Sequence, residues 1–365
     1  MNRHRDMGGA TATGLRAIVL AFGCALAWPL AAQEATPNND DMMEAPPVAA
    51  PRAGYWADVL AHDPVMIRQG DTWYAFVTGP GITVYSSKDM KTWKAEPPVF
   101  AQIPAWAYDI VPKFNGHIWA PDISHHDGTY YLYYSISSGG KNTSAIGVAT
   151  NTTLDPADPA FKWVDHGIVL RSVPHRDLWN AIDANLVEDA DGTPWLAFGS
   201  FWGGLKLVRL REDRLGLAEP QQWHTLARRE RPGFTDDANP EPGAIEAPFV
   251  FRKDGWYYLF VSFDHCCRGA RSDYRIMVGR SRELQGPYLD RDGKRMDQGG
   301  GSEVLRGTAR WPGPGHNSAY TFDGRDWLVF HAYDAEDGGK PKLKVLPLMF
   351  DADGWPQVDA RPLER

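Results

Sequence analysis

The segment DGTYYLYYSIS (residues 127–137) joins a tight-turn dipeptide to a run of aromatic and aliphatic residues. Asp-Gly suits a two-residue hairpin turn because glycine accepts the positive φ that such turns require. The run behind it is apolar on both faces, as in a strand buried from both sides. The same pattern returns four times: QGDTWYAFVTG from residue 69, DGTPWLAFGSF from 191, DGWYYLFVSF from 254 and DGRDWLVFHAY from 323. A strand-like segment precedes each turn: DPVMIRQ, PDISHHD, ANLVEDAD, APFVFRKD and SAYTFDG. ITVYSS, AIGVATN, LKLVRL and RIMVGRS fit third strands. Long helical periodicity is absent. Five repeated sheets of about four strands predict an all-β, five-bladed β-propeller. A two-sheet sandwich would leave a recurrence this long unexplained.

The bulk composition fits one globular chain. It has 365 residues, a formal charge of -8, 43% hydrophobic and 23% charged residues, which is ordinary for a folded protein. The acidic balance, with no basic run, argues against nucleic acid as a partner. The 15 Trp, 14 Tyr and 15 Phe favour strands, and exposed ones offer flat surfaces to sugars. Most are expected in the core. Residues 1–32 read as a signal peptide. Arg3, Arg5 and Arg16 precede the apolar run AIVLAFGCALAWPLAA, which is short for a membrane span and ends in small residues. Residues 33–53, rich in Pro, Ala and acid, read as a disordered linker, and residues 54–365 as the propeller. The expected product is an exported monomer, free of the membrane once the signal is cleaved. After cleavage only Cys266 and Cys267 remain. Being adjacent, they cannot staple distant elements. Two packed thiols are the simpler reading, a vicinal disulfide the other.

In a propeller the first strand of each blade lines a central channel. The residue at its start then lies near the mouth. Reading that position in each repeat gives Asp63, Asp122, Asp183, Glu246 and His316. A lone acid at a strand start is usually a turn or cap residue, and Pro121 beside Asp122 suits that role. Three recurrent acids with apolar flanks, Asp63, Asp183 and Glu246, are harder to dismiss. Clustered carboxylates repel, so their proton affinities spread apart. One can stay ionised as a base while another keeps a proton as an acid. Glycoside hydrolysis needs that division. His316, in PGPGHNS, could hold a water or a hydrated cation.

These motifs resemble family-43 glycoside hydrolases, in the endo-α-1,5-L-arabinanase branch. The resemblance is carried, in order, by LAHDPVMI, WAPDISHHDGTYYLYYSIS, SAIGVATN, NAIDANLVEDADGTPWLAFGSFWGGLKL, IEAPFVF, FDHCCRG, VGRSRELQGPYLD and GPGHNS. It implies a five-bladed propeller that cleaves arabinan, the α-1,5-linked arabinofuranose side chain of pectin, with inversion. Asp63 matches the general base, Glu246 the general acid, and Asp183 the acid that tunes and orients Glu246. His316 matches a histidine near a central calcium or hydrated ion. Trp119, Gly140, Asn180, Ser200, Phe201 and Trp202 match the substrate groove. Gly139 stands where the branch carries an aromatic, so the resemblance does not carry over the endo or exo mode. The same scaffold also serves β-xylosidases and α-L-arabinofuranosidases. A non-catalytic sugar-binding propeller would retain the aromatics and lose the acids.

Overall fold

The structure, a computed structural model, describes residues 58–232 and 239–363. The expected signal peptide, residues 1–32, and the expected linker, residues 33–53, lie outside the described residues. Five sheets follow one another along the chain. Blade one comprises Val65–Gln69, Thr72–Val77, Thr83–Ser87 and Lys94–Glu96. Blade two comprises His117–His126, Thr129–Ile136, Ser144–Asn151 and Val164–Ser172, with Gly79–Pro80 added on its inner edge. Blade three comprises Asn185–Glu188, Pro194–Phe198, Leu205–Arg209 and Trp223–Ala227. Blade four comprises Ile245–Lys253, Trp256–Phe263, Arg275–Ser281 and Ser302–Arg306. Blade five comprises Gly315–Phe322, Arg325–Asp334, Lys340–Phe350 and Pro356–Val358. Every pairing is antiparallel, and the turn dipeptides close the first hairpin of each blade. In three of the turns both residues have positive φ: Asp127 and Gly128, Asp254 and Gly255, Asp323 and Gly324. This is the twist that matches adjoining strands.

The aromatic runs are explained by the packing between sheets. Five buried apolar clusters lie one at each blade boundary among the described residues. Alternate residues of one strand serve opposite neighbours. Leu132 and Tyr134 pack toward blade one, whereas Tyr133 packs toward blade three. Both faces of each sheet are thus buried, so the second strands read as continuous apolar runs. Truncating a fully buried member such as Phe198 to alanine should cost about 3–5 kcal/mol.

Lys340–Phe350 and Pro356–Val358 complete blade five. The closing contact comes from the other end of the domain. Ala61 N–H donates to Pro341 O at 3.1 Å, Leu343 N–H donates to Val59 O at 3.1 Å, and Leu60 bridges Lys342.

At the entrance to each inner strand one residue has left-handed backbone: Asp63, Ala120, Asp183, Ala247 and His316. In blades two, four and five a register shift marks the spot. Such bulges redirect side chains beside functional sites. These five positions, not the five read from the sequence, are the true equivalents. Asp63, Asp183 and His316 occupy them. Glu246 lies one residue before its blade's position and Asp122 two residues after.

Candidate active site

Asp63 is 7% exposed. Its Oδ1 lies 2.8 Å from His62 Nδ1 and 3.0 Å from His316 Nδ1. Its Oδ2 accepts a hydrogen bond of 2.6 Å from Thr78 Oγ1. Burial by itself would push its proton affinity up. The His316 and His62 rings outweigh that and hold the carboxyl well below the ordinary range. Asp63 N–H donates to His331 Nδ1 at 3.1 Å, which requires that nitrogen to be unprotonated. Burial pushes His331 well down, and the His62 charge adds to it. A neutral His331 and an ionised Asp63 therefore agree.

On the other two groups at the mouth burial acts in opposite senses, one being a carboxyl and the other an imidazole. It pushes Asp183 up, the His316 charge opposes, and the Glu246 and Asp63 charges push it further, leaving it well above the ordinary value. Asp183 Oδ2 accepts from Ala247 N–H at 3.1 Å. For His316 burial favours the neutral ring, but Asp63 and Asp183 overcome it and raise the group to about 9. An imidazolium thus stands among three acids.

Both Glu246 oxygens have hydroxyl partners. Ser200 Oγ donates to Oε2 at 2.6 Å, and Tyr274 Oη donates to Oε1 at 2.6 Å. The backbones of Ser200 and Glu246 also bridge, and Phe201 N–H donates to Ile245 O at 2.7 Å. Blade three is therefore stitched to blade four beside the acid. Burial, with the Glu246 and Asp183 charges, holds the Tyr274 phenol well above its usual value, so it remains a donor.

Asp122 has a different task. Its Oδ2 accepts from Leu186 N–H at 2.7 Å and its Oδ1 from Asn185 Nδ2 at 3.1 Å. It ties blade two to blade three below the mouth, and burial raises it to about 6.

The groove residues separate into two groups. Trp119 is partly exposed and lines an open cleft of about 500 Å³ with Phe114, His117, Ser137 and Gly139. Gly140 is exposed, at φ 66°, and stands outside that lining. Phe201 is partly exposed, its ring 6.1 Å from that of His265. Asn180 is buried, with Oδ1 unpartnered. Trp202 is only 2% exposed and has no free face for a sugar, so its expected place in the groove gives way to packing.

Several neighbours escaped the sequence reading. His62 stacks on His331 at 4.0 Å and its Nε2 lies 2.9 Å from Tyr333 Oη. Cys266 and Cys267 form a vicinal disulfide rather than two thiols, and Cys267 N–H donates to Tyr333 Oη at 2.7 Å. His62 was legible only as the neighbour of Asp63. Tyr274 comes from the segment between the second and third strands of blade four, where no repeat position predicts it.

His316 offers one ring nitrogen beyond its pair with Asp63. Among the described residues the clusters able to ligate a metal are His62, Asp63 and His331, and His62 with the two cysteines. Neither includes His316. A cation beside this ring would have to keep its own water and would need the ring neutral, because an imidazolium has no lone pair to offer.

Comparison with known proteins agrees with this geometry. The profile of glycosyl hydrolases family 43 matches residues 57–356. The chain is 56% identical over 306 residues to the extracellular exo-alpha-(1->5)-L-arabinofuranosidase ArbA of Cellvibrio japonicus, covering 84% of this chain and 88% of that protein. It is 42% identical to the extracellular endo-alpha-(1->5)-L-arabinanase 1 of Bacillus subtilis, covering 84% and 91%. The Cellvibrio cellulosa alpha-L-arabinanase solved with arabinohexaose superposes with a TM-score of 0.83 at 55% identity, covering 84% of this chain and 98% of that one. The chain belongs to glycosyl hydrolase family 43.

Proposed function

We propose that this protein is an exported hydrolase of arabinan, cleaving α-1,5-linked L-arabinofuranose residues with inversion. The observation that carries the reading is the enclosure of Asp63, Asp183 and Glu246 around one imidazolium at the channel mouth. Relatives named for action on the same linkage support the substrate.

Asp63 is the general base. His316 and His62 keep it ionised, so it can take a proton from water as the water attacks the anomeric carbon. Glu246 is the general acid that delivers a proton to the leaving sugar oxygen, its two oxygens fixed by Ser200 and Tyr274. Asp183 does not reach the sugar bond in this scheme. Burial, with the Glu246 and Asp63 charges, holds the Asp183 carboxyl well above its ordinary range against the opposing His316 charge. Inversion requires the base and acid on opposite sides of the reacting ring, with room for water between them. Trp119 and the adjoining cleft receive the chain, an aromatic face against the furanose ring. With its ring neutral, His316 would hold a hydrated cation through its second nitrogen, and that cation would supply beside the carboxylates the positive charge that the imidazolium otherwise supplies.

The test is product analysis on debranched arabinan, xylan and nitrophenyl pentosides. Arabinose or arabino-oligosaccharides from arabinan support the assignment. Release from xylan but not arabinan would overturn it. The same profile distinguishes end-wise from internal cleavage.

A further inference from the structure

The five blade boundaries share one hydrogen bond, with one exception. In four of them the left-handed residue of an inner strand donates its N–H to a side chain on the preceding blade. Ala120 N–H donates to Thr78 Oγ1 at 2.7 Å, Asp183 N–H to Ser135 Oγ at 3.2 Å, and His316 N–H to Ser262 Oγ at 2.8 Å. Asp63 N–H completes the set on His331 Nδ1. Each acceptor is the seventh residue after its turn dipeptide. In blade three the seventh residue is Gly199. It has no side chain to accept, and the Ala247 N–H turns to Asp183 Oδ2 instead.

Blade one shows what a hydroxyl does at this position. Thr78 Oγ1 donates to Asp63 Oδ2 and accepts from Ala120 N–H. The hydroxyl stands between the carboxylate of one blade and the amide of the next. In blade three that intermediary is missing, and the carboxylate meets the amide directly. We propose that Gly199 is a positioning residue for the reaction: by offering no side chain at this one boundary, it lets Asp183 bind the Ala247 amide and draws that carboxylate against the blade that carries Glu246. The proposal rests on the roles given above to Asp183 and Glu246. The backbone agrees with it. Gly199 has φ +125°, a conformation reserved for glycine. A Cβ there would lie 3.2 Å from Gly204 O and 3.3 Å from Leu205 Cα.

Two variants separate the hydroxyl from the cost of any side chain. Gly199→Ala and Gly199→Ser both add the Cβ and both bear the backbone strain. Only serine restores an acceptor for the Ala247 amide. The Gly199→Ser protein should lose at least fivefold in kcat on linear arabinan relative to Gly199→Ala, with KM within threefold. The alkaline limb of its kcat/KM profile should move down by at least half a pH unit, because the Asp183 charge retreats from Glu246. Matching profiles in the two variants would overturn the proposal. Should neither variant fold, wild-type protein labelled with 15N-alanine decides. The Ala247 amide, assigned with Ala247→Gly, should titrate with Asp183 and cease to do so in Asp183→Asn, while the Ala120 amide follows neither change. An Ala247 amide indifferent to Asp183→Asn would refute the bond and the role. Wild-type inactivity on arabinan would instead overturn the functional reading, and the amide measurement would still decide the bond.

Discussion

His316 Nδ1 lies 3.0 Å from Asp63 Oδ1, so blades five and one meet at an ion pair as well as at a backbone seam. The pair ties stability to pH. His316 is raised from 6.5 to about 9, equivalent to about 3 kcal/mol. A raised histidine contributes fully below its unfolded value, near 6.5, and loses that contribution as pH rises through about 9. Asp63 is lowered, so its share is present above about 3.8 and is lost only at much lower pH. The melting-temperature gap between wild type and His316→Gln should therefore be widest at pH 5–6.5 and nearly closed by pH 10. A gap that stays constant over this range would contradict the assignment.

Tyr274→Phe should keep the fold and damage the chemistry. Phenylalanine preserves the shape of a side chain that is 1% exposed, but Glu246 Oε1 loses its donor. A hydrogen bond to a charged group is worth about 1.5–3 kcal/mol, so kcat should fall roughly 10- to 100-fold. Steady-state kinetics with melting curves check this, and unchanged kcat would remove Tyr274 from the catalytic group.

The two tryptophans should behave differently. Trp119→Ala should raise KM for arabinan at least fivefold and leave the melting temperature nearly unchanged. Trp202→Ala should lower stability by about 3–5 kcal/mol, as for other buried aromatics. Denaturant titration and kinetics on the same variants check both. A stable Trp202→Ala protein with raised KM would return that residue to the groove.

A chelator tests the hydrated cation. Dialysis against EDTA should lower kcat or the melting temperature, with calcium restoring it, and His316→Gln should show no such response. Indifference of the wild-type protein on both readouts would leave His316 with its ion pair alone.

The fold was readable because each blade repeats a turn glycine and a strand buried on both faces, and that periodicity survives in one sequence. Asp63, Asp183 and His316 were readable for the same reason. Glu246 and Asp122 slipped by one and two residues because bulges add residues that spacing alone does not reveal. That slip matters chemically. It places Glu246 against Ser200 and Tyr274, and it moves Asp122 down into a structural tie with Asn185. Tyr274, His62 and Tyr333 reach the mouth through contacts between blades far apart in the chain. Trp202 looked like its neighbours in SFWGG, yet left-handed backbone at Phe201 and Trp202 turns that ring inward.

The central claim is that Asp63 directs water onto the anomeric carbon from the face opposite the proton delivered by Glu246. Proton NMR of the first reducing sugars released from linear α-1,5-arabinan, recorded before mutarotation, tests it most directly. The β-anomer should appear first and the α-anomer only later. First appearance of the α-anomer would mean retention, and Asp63 would then have to attack the sugar itself.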